Sequence, residues 1–426
     1  MKKIVMAGFA AAMLAFGTIN PAVVGNAAPD PSHVTGQIMV KFRDNRAAAG
    51  VLRQHGLTDG PDIGDTGAHL IKVPEGKELR LIEALSRNPV VEHAEPDNVV
   101  TAATDDTFFG SQYALQNTGQ EFFNNYGTIS TDPVDPPKIT VAKGASDADV
   151  DAVEAWTTTT GGGTKVAVLH SGVDLDHPDI NPQVVARANF TASKTNEDKY
   201  GHGTHVAGIV AANADNGIGV AGVCPGCTIL AGKVLTDTGL GSTSALANGI
   251  NWAVNNGAKV INMSLAVRAS RTLETAVNNA WNRGVVLVAA AGNGNNQTKI
   301  YPAAYTNVIA VGATDNNDAK ASFSTYGPSW VDIAAPGVAV FSTFPNQDFA
   351  LREPNKRSLS YDIGNGTSMA APIVAAVAAL AWSSRAAPTA DTVRANVLSS
   401  GEKKTEMSAF WAYGRVNACK AVSPSC

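Results

Sequence analysis

A chain of 426 residues exceeds one ordinary domain, so one large domain with a smaller companion is expected. The composition is globular, with 44% hydrophobic and 16% charged residues and 40 glycines to serve tight turns between buried elements. A net charge of only −5 gives no footing for nucleic acid or an anionic membrane surface as a partner.

At the start, Lys2 and Lys3 precede an apolar stretch over 4–16, and Gly25-Asn26-Ala27 supplies a small-x-small cleavage site. Residues 1–27 therefore read as a secretory signal, too short in its apolar part to be a membrane anchor. The mature protein is expected to be secreted and extracellular. Next, 36–42 alternates like a half-buried strand, 79–85 has helical spacing, and 90–96 returns to strand. That makes a small α+β unit. From Asp97 to about Ser146 the chain is rich in Thr, Asn, Asp, Gly and Pro and reads as linker and surface arm.

Strand-like runs at 165–169, 228–234, 259–263, 285–290, 308–312 and 331–334 follow, with helical segments such as 244–255 and 272–281 between several of them. Apolar strands separated by helices imply a parallel sheet covered on both faces. Chemistry in such folds gathers at the carboxyl ends of the strands. His170 and Asn293 follow two of those ends, and Ser264-Leu265 closes a third. Four cysteines, Cys224, Cys227, Cys419 and Cys426, allow three pairings, of which 224–227 with 419–426 is the simplest. The alternative for Cys224-Pro225-Gly226-Cys227 is a zinc site completed by two further ligands.

Three motifs carry chemistry. Gly366-Thr367-Ser368-Met369-Ala370 places a serine directly ahead of an uncharged apolar run, 369–382, with the length of a core helix. Pro372 is expected in the first turn, where a missing N–H costs little. Ser368 then stands at a helix N-terminus, where free N–H groups favour a developing negative charge. Taken alone, it fits a nucleophile or the N-cap of a core helix. Upstream, Gly201-His202-Gly203-Thr204-His205-Val206-Ala207-Gly208 opens an apolar segment on a histidine, and Ala289-Ala290-Ala291-Gly292-Asn293 ends a strand on an amide. A serine, a base and an amide donor are the parts of acyl transfer. Ala370 in place of a second glycine, with the histidine ahead of the serine, excludes the Gly-x-Ser-x-Gly elbow of the α/β-hydrolases.

Over about 105–422, these motifs resemble those of the subtilisin-like serine peptidases, the subtilases. The resemblance implies an α/β fold, a subtilisin-like parallel sheet with helices on both faces, preceded by a small α+β propeptide domain. It divides the chain into a signal at 1–27, a propeptide at 28–103 and a peptidase at 104–426. Ser368 is implied as nucleophile, His202 as general base and Asn293 as oxyanion donor, with His205 structural. Ser264, Leu265 and Ala266 resemble the edge that pairs with substrate by strand addition. Asp179 with Ala214, Asn216, Ile218 and Val220 resembles the family's calcium site, whose oxygen donors suit Ca²⁺; no organic cofactor is implied. The implied partners are protein or peptide substrates and the chain's own propeptide, a chaperone and inhibitor removed by a cut within 101–105.

The departures decide the rest. The family's Val-Ala-Val-Ile-Asp-Thr-Gly is Val166-Ala167-Val168-Leu169-His170-Ser171-Gly172 here, so His170 stands at the triad aspartate position. That aspartate fixes the tautomer of the base and offsets its charge, and its loss costs roughly 10⁴-fold in turnover. A neutral His170 that accepts a hydrogen bond from His202 would do part of the first task and none of the second. Asp174 and Asp179 match other family positions and are not substitutes. Ala266 and Val267 replace two glycines and are expected to crowd the specificity pocket. Two functions follow: a secreted endopeptidase of reduced activity, or an inactive homologue that binds peptides or proteins in the same cleft.

Overall fold

The computed structural model describes residues 33–98, 104–124, 139–404, 407–423 and 426. The expected signal and most of the expected cut lie outside them. The described residues form two compact units, divided near 102–103.

In the first unit, β1 (His33–Phe42) is the middle strand of an antiparallel sheet between β2 (Ala68–Lys72) and β3 (Val91–Asn98). Its alternation buries Ile38, Val40 and Phe42. The helices α1 (Ala48–Gln54) and α2 (Glu78–Ser86) lay Val51, Leu52 and Leu85 against that face. The sequence reading contained neither α1 nor β2. The first is two turns long, and β2 buries His69 beside Ala68, which breaks any alternation.

The second unit opens with a pair of two-residue strands, β4 (Phe122–Phe123) and β5 (Thr140–Val141), and the short helix α3 (Ala152–Trp156). Its sheet contains β6 (Lys165–His170), β7 (Val184–Asn189), β8 (Thr228–Lys233), β9 (Val260–Met263), β10 (Val286–Ala290), β11 (Val308–Thr314) and β12 (Ile333–Pro336). The order is β12-β11-β10-β9-β6-β8-β7, with every pairing parallel. Side chains alternate between two cores. Val166 and Val168 face the helices α4 (His202–Ala211) and α8 (Thr367–Ser383), while Ala167 and Leu169 face α5 (Thr243–Asn255) and α6 (Arg271–Asn282). β7 was absent from the sequence reading because an edge strand that carries Arg187 and Asn189 has no apolar run.

The helix α8 is buried from Thr367 to Ala381, so its apolar residues face protein all round. Each buried Ile, Val or Leu there is worth about 1.5–3 kcal/mol against exposure. A hairpin of β13 (Val340–Thr343) and β14 (Tyr361–Gly364), with α7 (Arg352–Asn355) in its loop, delivers the chain to that helix. The chain closes with α9 (Ala390–Ser399) and α10 (Ala418–Val422). The cysteines pair Cys224 with Cys227 and Cys419 with Cys426. Gly161, at φ +101°, lets the backbone pass the first pair, since a Cβ there would lie 2.1 Å from the Cys224 sulfur.

The segment read as linker and surface arm is corrected in part. Tyr113, Leu115 and Phe122 are buried in the second unit, and the Tyr113 hydroxyl donates to the Val338 carbonyl. Aromatic residues spaced among Asn, Gly and Thr gave no period to read, and distant packing holds them in place.

Candidate active site

Three adjacent strands, β6, β9 and β10, end side by side on His170, Ser264 and the Ala291-Gly292-Asn293 turn. The chain winds one way from β6 to β8 and β7, and the other way from β9 to β12, so this is the switch point of the sheet. The helix α4 starts on His202 and α8 brings Ser368 in its first turn. All five residues line one cavity of about 610 Å³.

The Ser368 side is held by a closed set of hydrogen bonds. Thr367 donates to Asn293 Oδ1 from both N–H and hydroxyl, at 2.9 and 3.0 Å, and its Oγ1 accepts from Gly292 N–H. With Oδ1 taken up, the amide presents Nδ2 as its remaining polar group. Pro372 does not lie in the first turn, as the sequence reading had it, but five residues after Thr367. Its missing N–H is the one that would reach the Ser368 carbonyl four residues back. The Ser264 hydroxyl takes that carbonyl instead at 2.9 Å, and Asn262 Nδ2 holds the Ser264 hydroxyl at 3.0 Å. Ser368 is thereby anchored to β9. Its Oγ is left to the cavity.

The His202 side is tied by Asp198. Its two oxygens accept from Gly201 N–H, Thr204 N–H, the Thr204 hydroxyl and the Ser171 hydroxyl at 2.7–2.8 Å, with Tyr200 N–H at 3.3 Å. A carboxylate at the start of α4 satisfies otherwise unpaired helix N–H groups and meets the positive dipole end. The Ser171 hydroxyl also accepts from Gly203 N–H at 3.0 Å, which locks the end of β6 to the helix. Gly203 has to be a glycine, because a Cβ would sit 2.0 Å from the Gly172 carbonyl. Asp198, Ser171 and Thr367 were not singled out in the sequence. The Ser171 and Thr367 positions adjoin the motifs, but Asp198 lies in a polar loop without a signal.

His170 Nε2 lies 2.5 Å from His202 Nδ1 and 3.0 Å from the Ser264 carbonyl, while His170 Nδ1 takes the Ser171 backbone N–H at 2.8 Å. Burial pushes the His170 pKa down to about 4, with the buried Lys233 ammonium adding to the shift. Burial, and then His170, push His202 well below 6.5. Both rings are therefore neutral at pH 7. The expectation that His170 accepts from His202 fails on these contacts. Nδ1 accepts the Ser171 N–H at 2.8 Å and has only a longer contact, 3.2 Å, to the Ser171 hydroxyl, which already donates to Asp198, while Nε2 faces a carbonyl that can only accept, so the ring's single proton sits on Nε2. Among the described residues no carboxylate hydrogen-bonds either ring. Asp174 accepts from the backbone N–H groups of Asp176 and Asn346, and Asp179 is engaged elsewhere. His202 Nε2 is buried without a hydrogen-bond partner, so no bond joins it to Ser368 among the described residues.

Leu265, Ala266 and Val267 line the cavity without closing it. Val267 N–H is tied back to the Tyr301 carbonyl at 2.8 Å, and Ala266 is exposed, so the crowding expected from their side chains leaves a substantial cleft. Residues 239–241 also line the cavity, a stretch without a signal in the sequence. His205 is fully buried against Phe344, with its pKa pushed to about 3 by burial first and by His202 next.

At the calcium-like loop, Asp179 Oδ2 accepts from Val220 N–H at 2.8 Å and Oδ1 from Asn216 Nδ2 at 3.0 Å. Burial, with Asp106 adding charge, raises Asp179 to about 7. Gly219, at φ +59°, lines the cradle, since a Cβ there would fall 2.2 Å from Asp179 Oδ2. Among the described residues no hydrogen bond falls on the carbonyls of Ala214, Ile218 or Val220. A buried carboxylate and three carbonyls with no hydrogen bond among the described residues are the donor types that suit a hard cation. The Asn216 amide donates from Nδ2 to Asp179, and its Oδ1 accepts from Ile218 N–H at 3.0 Å.

A parallel α/β sheet with a serine, a histidine and an amide gathered at its switch point defines the class of acyl-transfer hydrolases. Comparison gives the family. The Subtilase family pattern matches residues 161–414, and the Fervidolysin N-terminal prodomain pattern matches 19–97. The chain belongs to the subtilase family of serine endopeptidases and carries an N-terminal prodomain. It is 36% identical over 401 residues to the thermophilic serine proteinase of Bacillus sp. (strain AK1), covering 92% of this chain and 88% of that one. With thermitase of Thermoactinomyces vulgaris it shares 46% identity over 275 residues, 64% of this chain and 93% of that one. A solved protease from Pseudoalteromonas arctica superposes with a TM-score of 0.62 at 29% identity, over 76% of this chain and 100% of that one.

Proposed function

We propose that the chain is made as a precursor, exported, and acts as a subtilisin-like serine endopeptidase whose turnover is reduced by His170. The observation that carries this reading is the convergence of Ser368, His202 and Asn293 on one open cleft, with Thr367 fixing the amide. Ser368 Oγ attacks the scissile carbonyl, and its proton passes to His202 Nε2 and on to the leaving amine. Asn293 Nδ2 and the Ser368 backbone N–H stabilise the oxyanion of the tetrahedral intermediate. The segment Ser264, Leu265 and Ala266 pairs with the substrate backbone.

Residues 1–27 serve as the signal, 28–103 as the propeptide and 104–426 as the peptidase. Asp179, Asn216 and the carbonyls of Ala214, Ile218 and Val220 would hold Ca²⁺, which neutralises the buried carboxylate and ties the loop down. A second reading, a peptide-binding homologue without turnover, is favoured by the donor set of His170. A fluorophosphonate probe followed by peptide mapping tests the first reading. Labelling of Ser368 that is lost in His202→Ala, together with slow hydrolysis of casein, is expected. An unlabelled Ser368 in a protein that still binds peptides would establish the second.

A further inference from the structure

Resting on the peptidase reading, we infer that His170 is a positioning residue that holds His202 in the non-catalytic tautomer, so that it restrains the base rather than merely failing to assist it. The proton on His170 Nε2 is fixed from two sides, by the Ser171 N–H on Nδ1 at 2.8 Å and by the Ser264 carbonyl at 3.0 Å. His202 Nδ1 meets that N–H at 2.5 Å. Two N–H groups cannot face each other at this separation, so His202 Nδ1 is the acceptor. A neutral imidazole carries one proton, and that of His202 is left on Nε2.

This inverts the arrangement of a triad with aspartate. There the carboxylate accepts from Nδ1–H and leaves a lone pair on Nε2 for the serine proton. Here the nitrogen on the Ser368 side already carries a proton, and the hydroxyl has no acceptor. Reversal requires His170 to move its own proton to Nδ1, where the Ser171 N–H points at 2.8 Å and the acceptor is the Ser171 hydroxyl at 3.2 Å, and to give up the closer Ser264 carbonyl at 3.0 Å. The rings are 1% and 5% exposed, so water is not at hand to compensate.

The consequence separates His170 from a passive loss of aspartate. Removal of the imidazole should accelerate the enzyme, although it supplies no charge, because His202 is then free to place its proton on Nδ1. His170→Ala is expected to turn over roughly tenfold faster than the natural protein, the scale of one hydrogen bond made in the wrong sense. Added formate, a carboxylate smaller than the removed imidazole and able to accept from Nδ1–H, should accelerate His170→Ala further and leave the natural protein unchanged.

The direct readout is the nitrogen spectrum of the natural full-length protein labelled with ¹⁵N-histidine, its His202 signals identified by their loss in His202→Ala. Unprotonated Nδ1 and protonated Nε2 on His202 are expected. Protonated Nδ1 would overturn the inference, as would a folded His170→Ala slower than the natural protein. Failure of the peptidase reading looks different: no variant, His170→Asp included, would hydrolyse peptide, while the spectrum would still decide the tautomer.

Discussion

The Ser368 wall of the cleft and the His202 wall draw on the same kinds of parts and end in opposite states. On the first, the hydrogen bonds leave the reacting ends unoccupied: Thr367 occupies Asn293 Oδ1 and leaves Nδ2, and Ser264 holds the Ser368 carbonyl and leaves Oγ. On the second, Asp198 and Ser171 place His202 with equal firmness, but the last contact, from His170, points its donor at the base. Rigid placement is thus separable from correct protonation. A catalytic wall needs both, and one side chain decides the second without disturbing the first.

The broadest way to sharpen this contrast is through the precursor. One intramolecular cut within 101–105, with the scissile bond held in place, gains several kcal/mol from proximity alone, yet it still needs the base. The natural protein is expected to keep residues 28–100 for hours after purification, whereas His170→Asp loses them promptly and Ser368→Ala never does. Intact mass reads all three. Prompt processing of the natural protein would mean that the His202 wall works as it stands.

A smaller effect tests the intact wall. In the His170→Asp background, Asn293→Ala should lower turnover by roughly 10²–10³-fold with little change in KM, the cost of one preorganised oxyanion donor. A loss below tenfold would show that Asn293 Nδ2 does not meet the developing charge.

Acidity probes the other wall. Burial holds His170 at about 4 and His202 well below 6.5, so both rings are neutral at pH 7 and His170 takes a proton only near pH 4. The residual rate of the natural protein, which needs neutral imidazole, should therefore fall only as the pH drops toward 4–5. A carboxylate at position 170 favours the charged form of His202 and moves that limb upward. A limb at the same pH in both proteins would place the titrating group elsewhere.

The smallest expected effect concerns the loop remote from both walls. Calcium held at a hundredfold excess over its dissociation constant stabilises the folded state by about 2.7 kcal/mol. Chelator should lower the melting temperature of the natural protein by several degrees, and Asp179→Ala should do the same and abolish the response. Equal melting with and without chelator would remove the ion from the account.

Much of this architecture was legible in the sequence, and the limits are physical. The strands β6, β8, β9, β10 and β11 are buried on both faces and so appear as apolar runs, while the edge strand β7, half-buried and bearing Arg187, does not. The motif residues His202, Asn293 and Ser368 stood out because small residues crowd around them. Their supports did not, because Thr367 meets Asn293 across 74 residues and Ser171 meets Asp198 across 27. The protonation of the histidine pair was beyond the sequence altogether. It depends on one backbone N–H and one carbonyl, which no residue letter records.

The claim that one side chain separates a well-placed site from a working one is tested most directly by kcat/KM for a chromogenic peptide. Natural protein and His170→Asp are compared at pH 8, each freed of residues ahead of the peptidase unit. A rise of roughly 10³–10⁴-fold on restoring the carboxylate is expected. A change of less than about tenfold, in a His170→Asp protein that melts like the natural one, would contradict it.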